Sequence, residues 1–261
     1  QTSATLAEGN LDVTGTASGW DNLFSTFAVS SGKWYWEVRC DSTSESEGWV
    51  AGIHQTGFPA QALHWYSPSY TASPDGVNFG VQDNNKKVTN TAQSAFTSDI
   101  AAGDVVQLRL NLDDNELSIS VDGSDKGKMY DITANLEYSP ALSLYKTSSA
   151  TMNFGQNGTF DGQETAGGNA DGNGHGNFFS AVPSGYLALC SDNLDEPTIG
   201  PNSATQADDH FNTVIYSGSS DDQTITTGMQ PDLIWIKQRN STGYHNLTDT
   251  NRGITYELHS N

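Results

Sequence analysis

Apolar residues alternate with polar ones over many short segments of this sequence. In residues 106–112 every second position is apolar, and Leu117, Ile119 and Val121 continue the pattern after the turn residues 113–115. A period of two places such side chains on one face of a β-strand. No run with the i, i+3, i+4, i+7 spacing of a helix exceeds two turns. The sequence therefore predicts an all-β, antiparallel sandwich or barrel.

An early segment supplies the largest side chains expected in the core. Trp34, Trp36 and Val38 share one face, whereas Tyr35 and Glu37 point the other way. One buried aromatic side chain removes about 150–250 Å² of surface from water. We therefore expect both tryptophans inside the sandwich.

Two stretches interrupt the regular strand spacing. Residues 155–180 are so rich in glycine that we expect a long surface loop, unable to bury a face. Residues 191–209 contain two prolines and many small polar residues, as in a linker. These boundaries predict a sandwich domain over residues 1–190 and a second module over residues 210–261.

The second module has strand character at residues 214–216, 224–226 and 233–236. The last of these is apolar on both faces, which predicts burial on both sides and a core position for Trp235. A segment this short buries little surface on its own. We therefore expect a small, incomplete β module that packs on a neighbour or continues beyond residue 261.

The charge balance excludes several classes of partner. The chain has 11 basic and 31 acidic residues, a formal charge of -20. Binding to nucleic acid depends on clustered Lys and Arg, and anionic membranes repel the same surface. No apolar run approaches the ~20 residues that cross a bilayer. We expect neither nucleic-acid binding nor membrane insertion.

No catalytic motif is present, and the six histidines are scattered without metal-ligand spacing. The protein is therefore expected not to be an enzyme and to need no cofactor. Asn169, Asp171 and Asn173 alternate as in a calcium loop, but the glutamate that would complete an EF-hand is missing. A flexible loop is the favoured interpretation and structural calcium the alternative. Cys40 and Cys190 permit one disulfide or two free thiols.

The segment between residues 54 and 78 is the candidate binding site. It carries His64, Trp65, Tyr66 and Tyr70 between two predicted strands. Exposed aromatic side chains suit stacking on a sugar ring or insertion into a partner's pocket. The alternative is that Trp65 and Tyr66 fold back as a lid on the core.

Six blocks of the first 190 residues, in order, resemble a SPRY domain. They are residues 31–38 (SGKWYWEV), 49–53 (WVAGI), 103–113 (GDVVQLRLNLD), 116–123 (ELSISVDG), 138–145 (YSPALSLY) and 150–155 (ATMNFG). The resemblance implies a two-sheet antiparallel sandwich of the concanavalin-like jelly-roll type. It also implies binding rather than catalysis, through variable loops at one end of the sandwich.

The tail resembles a module of tailed-phage fibres and other virion proteins. The resemblance lies in residues 211–218 (FNTVIYSG) and 230–240 (QPDLIWIKQRN), preceded by residues 193–199 (NLDEPTI), which in such proteins link it to a SPRY-like module. The pairing implies a virion or extracellular structural protein, in a tail fibre or appendage, that mediates host adhesion or assembly contacts. Expected partners are other virion proteins and a host glycan or protein. Such fibres are commonly trimeric, which implies a homo-oligomer.

Two other functions fit the same composition. One is a carbohydrate-binding adhesin of a bacterial surface, and the other is a capsid decoration or head-fibre protein. A glycan depolymerase is disfavoured because no nucleophile or metal site is assembled.

Overall fold

The computed structural model describes residues 4–16, 19–57, 78–89, 92–96, 99–194, 209–253 and 255–259. The chain divides into two compact units, Gln1–Leu194 and Asp195–Asn261. The strands of the first unit are β1 Thr5–Ala7, β2 Asp12–Thr14, β3 Trp20–Phe24, β4 Lys33–Ser42, β5 Trp49–Gln55, β6 Asn78–Gln82, β7 Lys86–Thr89, β8 Gln93–Ala95, β9 Val105–Asn111, β10 Glu116–Val121, β11 Ser124–Asp131, β12 Tyr138–Tyr145, β13 Ser149–Asn153 and β14 Leu187–Ala188. The strands of the second unit are β15 Leu233–Lys237, β16 His245–Asp249 and β17 Leu258–His259. Single 3₁₀ turns lie at Glu8–Asn10 and Ser191–Asn193.

The first unit contains two sheets. The larger has the order β1-β2-β13-β4-β9-β10-β11, with β14 beside β4, and the smaller has the order β3-β12-β5-β6-β7-β8. Every ladder among the described strands of this unit is antiparallel, except that of β14 with β4. The predicted all-β, antiparallel two-sheet sandwich is confirmed.

The core lies between the two sheets and follows the alternation read from the sequence. Trp36 and Leu108 of the larger sheet and Trp49, Ile53 and Leu142 of the smaller sheet are all fully buried in one cluster. On β10, buried and half-buried residues alternate strictly. The expected core positions of Trp34 and Trp36 are correct.

The turn residues also behave as their sequence predicts. Residues 112–115 connect β9 to β10, and Asn115 has a φ of 58°. Asp122 and Gly123 join β10 to β11 with φ values of 48° and 75°. Two successive positive φ values match a type I′ turn, whose twist suits a two-residue hairpin.

Strand β14, the last strand of the first unit, pairs with β4, an early one. Leu187 and Ala188 pair in parallel with Trp34 and Tyr35. On one edge of β4 this part of the strand pairs with β9, whereas on the other edge the ladder with β13 reaches only as far as Glu37, and β14 takes the position beyond it. The C-terminal part of the unit therefore belongs to the larger sheet.

The glycine-rich strap, residues 155–180, corrects the sequence prediction. It lacks regular strands and many of its residues are exposed, as expected of a surface loop, but it does bury a face, since Phe160 and Phe178 are fully buried. Phe178 packs edge-on against Tyr35 at a centroid distance of 5.0 Å. Glycine permits this packing: a Cβ on Gly155 would lie 2.8 Å from the Cα of Gly176. The glycines allow two backbone stretches to touch, so the strap covers the outer face of the larger sheet.

The second unit also departs from its prediction. Its sheet has the order β15-β16-β17, and residues 214–216 and 224–226 form no strand. The expected burial of residues 233–236 is wrong, since Trp235 is 63% exposed and Leu233 is 58% exposed. The physical reason is that this sheet is a single layer. Within the described part of the unit, no second layer covers either face.

A buried carboxylate lies at the turn that follows β6. The Asp83 side chain accepts a hydrogen bond from Gly48 N at 3.2 Å through Oδ2, while its Oδ1 has no partner among the residues that the structure describes. Burial raises the pKa of Asp83 to about 6, although backbone N–H groups oppose the shift. The folded protein therefore favours the protonated acid.

Asp83 makes a pH-dependent contribution to stability. Its folded-state pKa is raised, so this contribution is fully present below about pH 4 and is lost as the pH rises through about 6. Relative to Asp83→Asn, the free energy of unfolding of the unmodified protein should fall by about 3 kcal/mol across this range. Urea denaturation of both proteins at a series of pH values measures the difference. A difference that does not change with pH would contradict the prediction.

Candidate functional site

The four candidate binding residues share one connection of the sandwich. His64, Trp65, Tyr66 and Tyr70 belong to residues 58–77, which lie outside the described residues. This connection joins β5 to β6, and these strands are antiparallel neighbours in the smaller sheet. The choice between a binding loop and a lid therefore stays a prediction.

The base of this connection is closely packed. His54, near the end of β5, lies opposite Asn78, the first residue of β6. Its Nδ1 is 2.8 Å from the Asn78 Oδ1, so the imidazole N–H donates to the amide oxygen. The Phe24 ring packs on the imidazole at a centroid distance of 4.8 Å. Both ends of the connection are therefore held together where β5 ends and β6 begins.

The environment of His54 keeps it neutral. Burial lowers the pKa of His54 below its ordinary value, and the bond to Asn78 opposes this shift. The Nδ2 of Asn78 is buried and has no acceptor among the described residues. The hydroxyl of Thr56 donates to Glu137 Oε2 at 2.6 Å, which ties the outgoing chain to the segment before β12. These contacts fix the two ends of the connection. They do not bring a nucleophile and proton-transfer groups together among the described residues.

A second polar cluster lies on the outer face of the larger sheet, on the side of β4 opposite to the predicted core. Glu37 is fully buried. Its Oε1 accepts from the Tyr35 hydroxyl and from Ser180 N, each at 2.8 Å. Its Oε2 accepts from Asn153 Nδ2 and from Phe179 N, each at 3.0 Å. One carboxylate thus joins β4, β13 and the strap.

The electrostatics of Glu37 follow from this burial. Desolvation raises the pKa of Glu37 above its usual range, and the four donors oppose that rise. The same desolvation, with the neighbouring carboxylate, raises the pKa of the Tyr35 hydroxyl. The Glu37 carboxylate is buried and all four of its hydrogen bonds come from protein donors, so we interpret it as structural.

The alternating Asn169-Asp171-Asn173 pattern is explained by turn formation. Asp171 Oδ1 accepts from the backbone N–H groups of Asn173 and His175, each at 2.9 Å. Its Oδ2 accepts from Ala188 N at 2.8 Å and from Asn193 Nδ2 at 2.7 Å. Both oxygens are therefore engaged by nitrogen donors.

Few reactive groups occur elsewhere in the described residues. No cluster of three His, Cys, Asp or Glu side chains there is arranged to hold a metal ion. None of the helices in the described ranges has the length and hydrophobicity needed to traverse a membrane. Cys40 and Cys190 are free thiols, and burial raises the pKa of Cys40 to about 12. That thiol is therefore un-ionised, and so unreactive, at neutral pH.

Comparison with solved structures returned SPRY domains. The SPRY domain of human HERC1 is 14% identical with a TM-score of 0.48, and the match covers 57% of this chain and 91% of that chain. The TRIM65 PSpry domain is 15% identical with a TM-score of 0.44, covering 57% and 84%. A human SPRY domain is 13% identical with a TM-score of 0.44, covering 56% and 92%. No curated protein matches the chain.

Two family models match the sequence. Residues 206–261 match a domain of unknown function, DUF7483. That description names no activity, so the resemblance of this segment to a phage fibre module stays a prediction. The other model, that of the SPRY domain, matches residues 33–157, from β4 to just beyond β13. Over these residues the sandwich is therefore similar to SPRY domains, which are modules that generally mediate protein–protein interaction.

Proposed function

We propose that the chain is a non-enzymatic structural and interaction protein of a virion, a phage tail-fibre or appendage component that mediates host adhesion or assembly contacts. The observation that carries the proposal is the order of the modules: a SPRY domain over residues 33–157, then residues 193–199, then the segment at 206–261. That order resembles the arrangement in virion proteins. The sandwich would act as the recognition part and the tail as the attachment part.

The expected contacts follow from this role. The connection at residues 58–77, through His64, Trp65, Tyr66 and Tyr70, would contact a host glycan or protein. Other virion proteins would contact the tail, and the chain would form a homo-oligomer, with a trimer expected by analogy with fibres. The location would be the virion or the extracellular space. No cofactor is required.

The location can be tested on purified particles. Antibodies against the sandwich should label intact virions in electron microscopy and co-sediment with them through a density gradient. Label on the tail or an appendage would support the proposal, and label on the head would favour a capsid decoration or head-fibre protein. Label on uninfected bacterial cells would instead favour a cell-surface adhesin.

The adhesin alternative is supported by the same aromatic side chains, since Trp65 and Tyr66 suit stacking on sugar rings. A glycan array probed with the full chain would reveal such binding. Specific glycan binding that depends on Trp65, in a protein absent from particles, would replace the virion proposal.

Trp65→Ala tests the binding site itself. The unfolding free energy should change by less than about 0.5 kcal/mol, as for surface substitutions. Binding to the host surface should weaken at least tenfold, as expected when a central aromatic contact is removed. Denaturation and adsorption of the labelled protein to host cells measure the two effects. If the variant unfolds instead, the side chain is a lid on the core.

A further inference from the structure

A pocket of about 280 Å³ lies on the outer face of the larger sheet, at the C-terminal end of the strap. Its lining includes Tyr35, Gln107, Arg109, Ser180 and Pro183. The amide of Gln107 is already engaged, since its Nε2 donates to Ser180 Oγ at 3.0 Å and its Oε1 accepts from Gly123 N at 3.1 Å. The charged group in the lining with an unmet hydrogen bond is the guanidinium of Arg109.

Arg109 is bonded along only part of its guanidinium. Its Nη2 donates to the Ile119 carbonyl at 2.9 Å and to Asp125 Oδ1. Its side chain is only 15% exposed, and its Nε is buried and has no acceptor among the described residues. A buried donor without an acceptor costs about 1–3 kcal/mol. Of the two nitrogens on this edge of the guanidinium, Nη2 therefore donates hydrogen bonds and Nε donates none to the described residues.

Arg39, on the adjacent strand β4, shows how this sheet satisfies an arginine that has only a structural role. Its Nε donates to Glu164 Oε1 at 2.9 Å, and its Nη1 donates to Asp41 at 2.5 Å and to Gln163 at 2.8 Å. Its side chain is 12% exposed, close to the value for Arg109. At similar burial, Arg39 has an acceptor at Nε and Arg109 has none.

The carboxylate that pairs with Arg109 is weakly held. The Asp125 side chain is 66% exposed, so its ion pair is screened by solvent. The same Oδ1 also accepts from Gly127 N at 3.0 Å. Asp125 can therefore rotate towards solvent and keep a backbone partner while another carboxylate takes its place.

We propose that the Arg109 pocket binds a small hydroxylated carboxylic acid, of the kind that a uronic-acid residue of an acidic glycan presents. The ligand carboxylate would bond side-on to Nε and Nη2 of Arg109, the bidentate geometry that guanidinium groups favour. The pocket is smaller than the ~300–1,000 Å³ of sites for drug-sized molecules, which suits one sugar residue. Its lining combines the hydroxyl groups of Ser120 and Ser180 with the apolar side chains of Ala181 and Pro183, which suits a sugar ring that has hydroxyl groups at its edge and an apolar face. The site is separate from the 58–77 connection and does not depend on a virion role.

The experiment is a titration of the full, ¹⁵N-labelled chain with sodium glucuronate, followed by amide chemical shifts. Glucose serves as the neutral control and N-acetylglutamate as the peptide-like carboxylate. We expect saturable shifts at Gly123 and Ser180 with glucuronate and none with glucose. Equal binding of N-acetylglutamate would overturn the saccharide assignment, and absence of saturable shifts at the pocket would overturn the site.

Variants separate the pocket from unspecific ion pairing. Arg109→Gln should weaken glucuronate binding at least tenfold, and Arg39→Gln, the matched control, should leave it unchanged. Asp125→Asn should tighten binding severalfold, because it removes the competing carboxylate but keeps an acceptor for Gly127. Circular dichroism checks the fold of each variant. If Arg109→Gln does not fold, Asp125→Asn decides, and affinity unchanged in that variant would overturn the proposal.

Discussion

Replacing Trp36 with alanine is expected to lower the free energy of unfolding of the sandwich by about 3–5 kcal/mol. The side chain is fully buried between the sheets. Its removal leaves a cavity lined by residues of both layers, which strands on two sheets cannot fill by a local shift. Urea denaturation followed by circular dichroism measures the loss of stability. Circular dichroism is used because the substitution itself alters the tryptophan fluorescence.

Trp235→Ala is the matched control for this experiment. Trp235 is 63% exposed and lies in the second unit. Its removal should change the unfolding free energy of the sandwich by less than about 0.5 kcal/mol. A loss below about 1 kcal/mol for Trp36→Ala would mean that β4 presents its other face to the core.

Replacing Glu37 with alanine should cost about 4 kcal/mol, because four donors lose their acceptor and each buried unsatisfied donor costs about 1–3 kcal/mol. The substitution should loosen the strap as well as lower the stability of the whole sandwich, since two of the donors are the amides of Phe179 and Ser180 in the strap. Those amides should exchange with solvent faster in the variant. Hydrogen exchange read by NMR, combined with urea denaturation, measures both effects.

Two further variants control for the loss of charge. Glu37→Gln keeps one acceptor oxygen and should lose less stability than Glu37→Ala. Glu116→Ala removes a half-exposed carboxylate that pairs with Lys128 on the same sheet and should cost less than about 1 kcal/mol. If the two alanine variants were equally stable, Glu37 would not hold the strap.

Much of the sandwich could be predicted because its core follows a simple period. Leu117, Ile119 and Val121 on β10 are buried at every second position, and the turn at residues 122–123 has the residues that its backbone requires. Local pattern and turn chemistry agree here with the tertiary structure. The position of Trp36 follows from the same alternation.

The outer face of the larger sheet could not be predicted in this way. The alternation places Tyr35 and Glu37 opposite the core and indicates only one buried face, whereas the strap covers the other face as well. That cover comes from a glycine-rich segment whose composition suggested a loop. Glycines at positions 155 and 176 do not weaken the packing but permit it, through contact between backbones. No local signal pairs Glu37 with residues 179 and 180, which lie far along the chain.

The second unit was misjudged for the opposite reason. Residues 233–236 are as apolar as a core strand, and the sequence pattern cannot indicate that no second layer covers them in the described part of the unit. The pocket at Arg109 was also not anticipated. It arises where a hairpin meets the strap, and neither segment alone carries a recognisable motif.

The late position of β14 in the chain has a consequence for biosynthesis. Leu187 and Ala188 pair in parallel with Trp34 and Tyr35, so β4 is synthesised long before its partner strand β14. A nascent chain leaving the ribosome therefore exposes Tyr35 and the Glu37 carboxylate until residue 188 has emerged from the exit tunnel. Translation of the residues between β4 and β14 must precede closure of this layer, and during that interval the unfinished sheet is a surface that chaperones can recognise.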